Sequence, residues 1–160
     1  MTGKDLVDIG VYFSQGRAFT IVNNVLSFDD GFEPSEAQKQ EAILEMTKKR
    51  KIQEIDNKYS ALRAKLLTQG AFMSLVYSLK LQEAKDFTAN KPGQYQLLQA
   101  SVDAGEAQNL QGAAQLILSK ESELMTILAG YETQRLTEKN AVKNATTVEG
   151  INNGGQEIHS

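Results

Sequence analysis

Side chains able to do chemistry are present in this sequence, but their spacing does not gather them into a site. His159 is the one histidine and stands next to the last of 160 residues, where it lacks the fixed neighbour within hydrogen-bond reach that a general base or metal ligand requires. Cysteine is absent, which excludes a thiolate nucleophile, thiolate metal sites and disulfide staples together. Glu41, Glu45, Glu121, Glu123 and Glu138 fall on helical sequence without the Glu-x-x-His spacing that builds a carboxylate metal centre in a bundle. Asp29-Asp30-Gly31 offers oxygen ligands but lacks the alternating positions and closing Glu of a calcium loop, so it reads as a turn. Gly112 lies within a helical pattern, and Gly154-Gly155 is not followed by Lys-Ser or Lys-Thr, so no phosphate-cradling loop is expected. Asn144-Ala145-Thr146 has the form of a glycosylation acceptor, but no secretory pattern accompanies it. The expectation is a protein without enzymatic activity and without a cofactor or metal.

Charge narrows the partners. The formal net charge is −3, with both signs interspersed, so no field is set up toward nucleic acid or an anionic membrane, and neither is expected as a partner. The densest basic run, Lys48-Lys49-Arg50-Lys51, is flanked by Glu41, Glu45, Glu54 and Asp56 at helical pair distances and reads as a solvated helix face. No apolar run approaches the roughly 20 residues that span a bilayer, and the N-terminus lacks a signal-peptide pattern, so a soluble chain made in the cytoplasm is expected.

The elements that would position any site are mostly helical. Two long stretches, about 35–88 and 106–145, surround the Lys91-Pro92-Gly93 break. Ile52, Ile55, Tyr59, Leu62 and Leu66 recur at 3-4-3-4 spacing and form one narrow apolar seam. Glu33-Pro34-Ser35-Glu36 opens the first stretch, with Pro in the first turn, and a break or bend is expected near Gly70, where the apolar phase changes. Tyr95 to about Ala104 reads as a short helix closed by Gly105 at C′. In the following helix Leu110, Ala113, Ala114, Ile117, Leu124, Leu128 and Tyr131 make the apolar face, with Glu121 and Arg135 on the same stripe.

Residues 5–32 have a different character. Val11-Tyr12-Phe13, Ala18–Val22 and Val25–Phe28 are β-branched and aromatic runs separated by Ser14-Gln15-Gly16 and Asn23-Asn24, the pattern of a three-stranded β-meander. The fold class expected is mainly α, a long coiled-coil-like helical hairpin or bundle with a small N-terminal β-meander. Its regions are a β docking piece at 1–32, a helical region at 33–145 and a polar tail at 146–160. Such narrow stripes bury little in one chain, so an elongated monomer and a homo-oligomer are expected, with Ile52, Ile55, Tyr59, Leu62 and Leu66 as the contact set. Val11, Phe13, Phe19 and Ile21 are the expected partner-docking residues, since strand edges pair with a neighbouring chain.

Three phrases then point to a family: Ile55–Tyr59 leading to Tyr77-Ser78-Leu79-Lys80-Leu81-Gln82-Glu83-Ala84-Lys85; Tyr95-Gln96-Leu97-Leu98-Gln99-Ala100-Ser101-Val102; and Asn144-Ala145-Thr146-Thr147-Val148-Glu149-Gly150-Ile151. Over about residues 52–151 the chain resembles helical segments of tailed-bacteriophage tail-fibre and related virion proteins. The short β region in front, and the lack of a large β-rich tip, depart from a receptor-binding fibre. The resemblance therefore implies a bacteriophage virion structural protein, a small tail, baseplate or fibre-attachment component that binds other virion proteins. It also implies threefold assembly, since the fibres it resembles are commonly trimers. A tail-fibre assembly chaperone and a coiled-coil adaptor are the alternatives.

Overall fold

The structure, a computed structural model, describes residues 1–66 and 71–153, without the side chains of 71–74. The described residues form six helices and one two-stranded sheet: α1 (Gly3–Phe13), β1 (Phe19–Val22), β2 (Val25–Phe28), α2 (Glu36–Ala64), α3 (Ala71–Thr88), α4 (Gln96–Asp103), α5 (Leu110–Asn144) and α6 (Val148–Asn153). The mainly α class with a small N-terminal β region is what the sequence led us to expect. The bend near Gly70, the Gly154-Gly155 segment and His159 lie outside the described residues.

The first of the three expected strands is instead the end of a helix. Val11-Tyr12-Phe13 has strand-like composition, but Thr2 nucleates a helix upstream of it: its hydroxyl accepts from the Asp5 N–H and the Asp5 carboxylate accepts from the Thr2 N–H. This reciprocal cap satisfies two otherwise orphaned donors. Leu6, Ile9 and Phe13 then fall at helical spacing on the inner face, so burial follows the period of a helix and overrides β propensity. Val11 is left 44% exposed on the outer face.

The remaining two strands pair antiparallel with Phe19 opposite Phe28 and Val22 opposite Val25. Asn23 and Asn24 both take positive φ, 51° and 62°, the geometry of a tight primed turn and the role their pairing in sequence predicted. Gly10 is buried where the Phe19 ring lies against α1, and a Cβ there would overlap ring atoms. Phe13, Phe19, Phe28 and Phe32 form one aromatic cluster with centroid separations of 5.3 to 6.5 Å.

The chain divides into two compact units. Unit 1 comprises 1–58 and 135–160, and unit 2 comprises 59–134, so α2 and α5 supply residues to both. In unit 1, Ile9 packs with Ala42 and Ile43, flanked by Tyr12, Phe13 and Leu26. Ser35 rather than Pro34 marks the start of α2, because its hydroxyl accepts from the Gln38 N–H while the Gln38 amide accepts from the Ser35 N–H. Within the segment expected to be polar tail, α6 forms with Thr147 accepting from the Gly150 N–H, and Ile151 is fully buried.

Unit 2 is centred on Ala84, Leu98, Ala113, Ala114 and Ile117. Two of its helices, α3 and α4, end in defined caps. After α3, Asn90 at φ 53° lets Lys91 N–H reach the Asp86 carbonyl, and after α4, Gly105 at φ 75° lets Glu106 N–H reach the Ser101 carbonyl. Both are C-terminal caps closed by a left-handed residue, and the second sits at the position the sequence assigned to it.

Asp8 of α1 is the most consequential polar residue in unit 1. It is 4% exposed, pairs with Arg50 of α2, and its Oδ2 has no hydrogen-bond partner among the described residues. Removing the cation would leave a buried carboxylate uncompensated. Arg50→Met is therefore expected to cost about 3 kcal/mol in urea unfolding followed by circular dichroism, whereas Lys49→Met, on the same basic run, should cost less than about 0.5 kcal/mol.

Candidate functional site

The five seam residues occupy different environments. Ile55 and Tyr59 are 3% and 1% exposed within the single chain, while Ile52, Leu62 and Leu66 are half-buried. The Tyr59 ring meets Tyr131 of α5 at 6.3 Å, and its hydroxyl lies 3.4 Å from the Gln134 amide oxygen. The two most buried seam positions thus serve packing inside the chain, and the other three keep surface open.

Polar pairs join α2 to α5. In unit 1, Asp56 accepts from Arg135 at 2.6 Å and from Lys139 at 2.7 Å, and Lys58 donates to Glu138 at 2.8 Å. In unit 2, Arg63 donates to Glu132 at 3.1 Å. Arg135 and Glu121, which interrupt the apolar stripe of α5 in sequence, are explained by their partners: Arg135 holds Asp56, and Glu121 accepts from Lys85 of α3 at 2.8 Å. The Lys139 ammonium first, and then the Arg135 guanidinium, hold the Asp56 carboxyl below the usual aspartate range.

A second polar joint fixes α4 on α3. One Glu83 carboxylate oxygen accepts from the backbone N–H groups of both Leu97 and Leu98, at 2.9 and 3.0 Å, placing a negative charge on the N-terminal end of α4. Lys80 donates to the Ser101 hydroxyl at 2.8 Å and lies 3.7 Å from Glu106. The Ser101 hydroxyl, and then the Lys80 charge, hold Glu106 below the usual glutamate range. Neither Glu83 nor Lys80 stood out as a structural residue in sequence, because the backbone N–H and hydroxyl groups they serve are 14 or more positions away.

The expected docking residues are distributed unevenly. Val11 is exposed, whereas Phe13, Phe19 and Ile21 are half-buried, the first two within the aromatic cluster. The concave surface beside them is lined from elsewhere: a pocket of about 480 Å³ in unit 1 is walled by Leu6, Ile9, Leu26, Phe28, Phe32 and Pro34. Asn24, Ser27, Glu33 and Lys39 add polar groups to its rim, so the lining is mixed rather than apolar throughout. Sequence reasoning missed Leu26 and Phe28 as lining because the register that turns them inward depends on where α1 sits. Among the described residues, no group of three acidic, His or Cys side chains is positioned to hold a metal ion, and no helix is long and apolar enough to cross a membrane.

The lowered carboxyls set an acid-side dependence. Asp56, Asp86 and Glu106 all have folded values below their unfolded ones, so their contribution is fully present above about pH 5 and is lost as pH falls through the lowered values. Urea midpoints measured at pH 7 and pH 3 should therefore differ, and Asp56→Asn should narrow that difference. An equal pH dependence in wild type and Asp56→Asn would show that the Asp56 cluster does not hold the helices together. No family model matches this chain, and neither the curated proteins nor the solved structures provide a match.

Proposed function

We propose that this protein is a bacteriophage virion structural protein, a small tail, baseplate or fibre-attachment component that binds other virion proteins and assembles as a homo-oligomer, by preference a trimer. The reading is of a non-enzymatic chain without a cofactor, acting in the virion after synthesis in the host cytoplasm, with no nucleic-acid or membrane partner. The observation that carries it is the set of three sequence phrases resembling tail-fibre and related virion proteins.

Two of those phrases meet in three dimensions. Lys80, Glu83 and Ala84 of the first contact Ser101, the Leu97 and Leu98 amides, and the Leu98 core position of the second. The third phrase supplies Thr147, which caps α6, and Ile151, which is buried. The residues of these phrases therefore form joints of the fold. On this reading the N-terminal hairpin, with its short strands and adjoining pocket, is the docking piece.

Mass spectrometry of purified particles of the encoding phage, with copy number, tests the proposal. The expected result is this chain retained in the virion at fixed stoichiometry, in a multiple of three copies. Its presence in infected-cell lysate but not in particles would replace the structural role with that of an assembly chaperone. Absence from both would point to an adaptor unrelated to particle assembly.

A further inference from the structure

The β2 edge of the hairpin is open and lies along a pocket. The two-residue Asn23-Asn24 turn makes Val22 and Val25 a hydrogen-bonded pair, and bonded and non-bonded pairs then alternate along the ladder. The Asp29 N–H donates to the Ala18 carbonyl at 3.1 Å and carries the same alternation past the strand ends. Leu26 and Phe28 therefore turn their backbone groups away from β1. The Phe28 carbonyl accepts from the Gly31 N–H at 3.0 Å. The Leu26 N–H, the Leu26 carbonyl and the Phe28 N–H are left without a protein partner among the described residues. Donors and acceptors at this spacing are matched by another extended chain.

The pocket distinguishes this edge from the other. Its lining takes every residue from Asn24 to Phe28 and none from β1, so the space opens along β2. Leu26 and Phe28 alternate onto the inner face of the hairpin and meet Leu6, Ile9 and Phe32 in the wall. A strand added to β2 sets alternate side chains over this apolar part of the wall. The volume of about 480 Å³ lies within the range of clefts that take an apolar group oriented by a few polar ones. Because the Phe28 carbonyl is already bonded, the added ladder is short, and the pocket must supply part of the attraction.

Charge selects the segment. Between Arg17 and Lys39 the sequence carries Asp29, Asp30, Glu33 and Glu36 and no cation. The two bounding cations are used within the chain, Arg17 by Asp30 and Lys39 by Glu36, each at 2.6 Å. Asp29 and Glu33 are exposed and have no ion-pair partner among the described residues, and Glu33 stands on the pocket rim. A second copy of the hairpin brings the same carboxylates to this edge, whereas a segment carrying lysine or arginine supplies the complementary sign. We infer that an extended segment of a different protein pairs with β2 through the Leu26 and Phe28 backbone groups. It sets an apolar side chain in the pocket and places a flanking lysine or arginine beside Glu33. This rests on the hairpin being the docking piece and specifies its partner: main-chain bonds hold the segment, while the pocket and Glu33 choose its side chains.

Fluorescence anisotropy of the full chain with labelled peptides acetyl-Lys-Thr-X-Thr-Lys-amide, X being Leu, Ile, Val, Met or Phe, tests the inference. At least one peptide is expected to bind saturably below about 1 mM, and about tenfold more tightly than its counterpart with Glu in place of both Lys. Methylating the backbone nitrogens of X and both Thr should abolish binding. Glu33→Lys should reverse the preference between the two flanks, a gain of binding that an unfolded chain does not show. If that variant fails to fold, the wild-type flank preference and the methylated peptide decide. No saturable binding by any of the set, equal binding of the methylated peptide, or a flank preference that survives Glu33→Lys in a folded chain would overturn the inference. So would a wild-type mass above one chain in light scattering that Leu26→Pro reduces with helical circular dichroism retained, which would assign the edge to a second copy. A chain retained in particles that binds none of the peptides would overturn this inference alone. A chain that binds them but is absent from particles would overturn the virion reading alone.

Discussion

The small apolar area buried within each unit is the constraint on which the rest of this structure depends. Of the fourteen buried apolar residues among those described, four are alanine, which allows helices to approach closely but removes little surface from water at about 25 cal/mol per Å². Polar contacts must therefore define register where a larger core would otherwise do so. Asp56 does this in unit 1 by accepting from Arg135 and Lys139 at once, and Glu83 does it in unit 2 by taking two backbone donors of α4 on one oxygen. Such contacts are directional, so they specify which residues face each other more sharply than they add stability.

How much of this was legible in sequence follows from the distance over which each signal acts. The Asn23-Asn24 turn, the Gly105 cap and the α4 helix were all readable because their causes lie within a few residues of their effects. The Thr2–Asp5 cap is equally local, and it was overlooked because the β-branched and aromatic run Val11–Phe13 outweighed it. Helical burial of Leu6, Ile9 and Phe13 settles the competition in favour of helix. The basic run at 48–51 illustrates the limit well. Lys48 and Lys51 pair with Glu45 and Glu54 three positions away, as helical spacing implies, but Arg50 turns to Asp8, 42 positions distant. No local pattern distinguishes Arg50 from its neighbours, since the distinction arises only when α1 packs on α2.

The candidate site was less legible than the fold for the same reason. A 3-4 apolar spacing reveals that a helix face will be covered, but it is silent about whether the cover belongs to the same chain. Ile55 and Tyr59 are covered from within, and Leu62 and Leu66, on the same seam, are only half covered. The difference lies in what stands opposite: the seam has a Tyr131 partner at Tyr59, and α2 ends at Ala64, before the last seam residue.

Polar joints such as Asp56–Arg135 and Glu83–Leu98 set the register of the helices they join but leave apolar surface open beside them, with Leu79 and Met125 about half exposed. A contact set by direction rather than by buried area fixes which residues face each other without covering the apolar groups next to it.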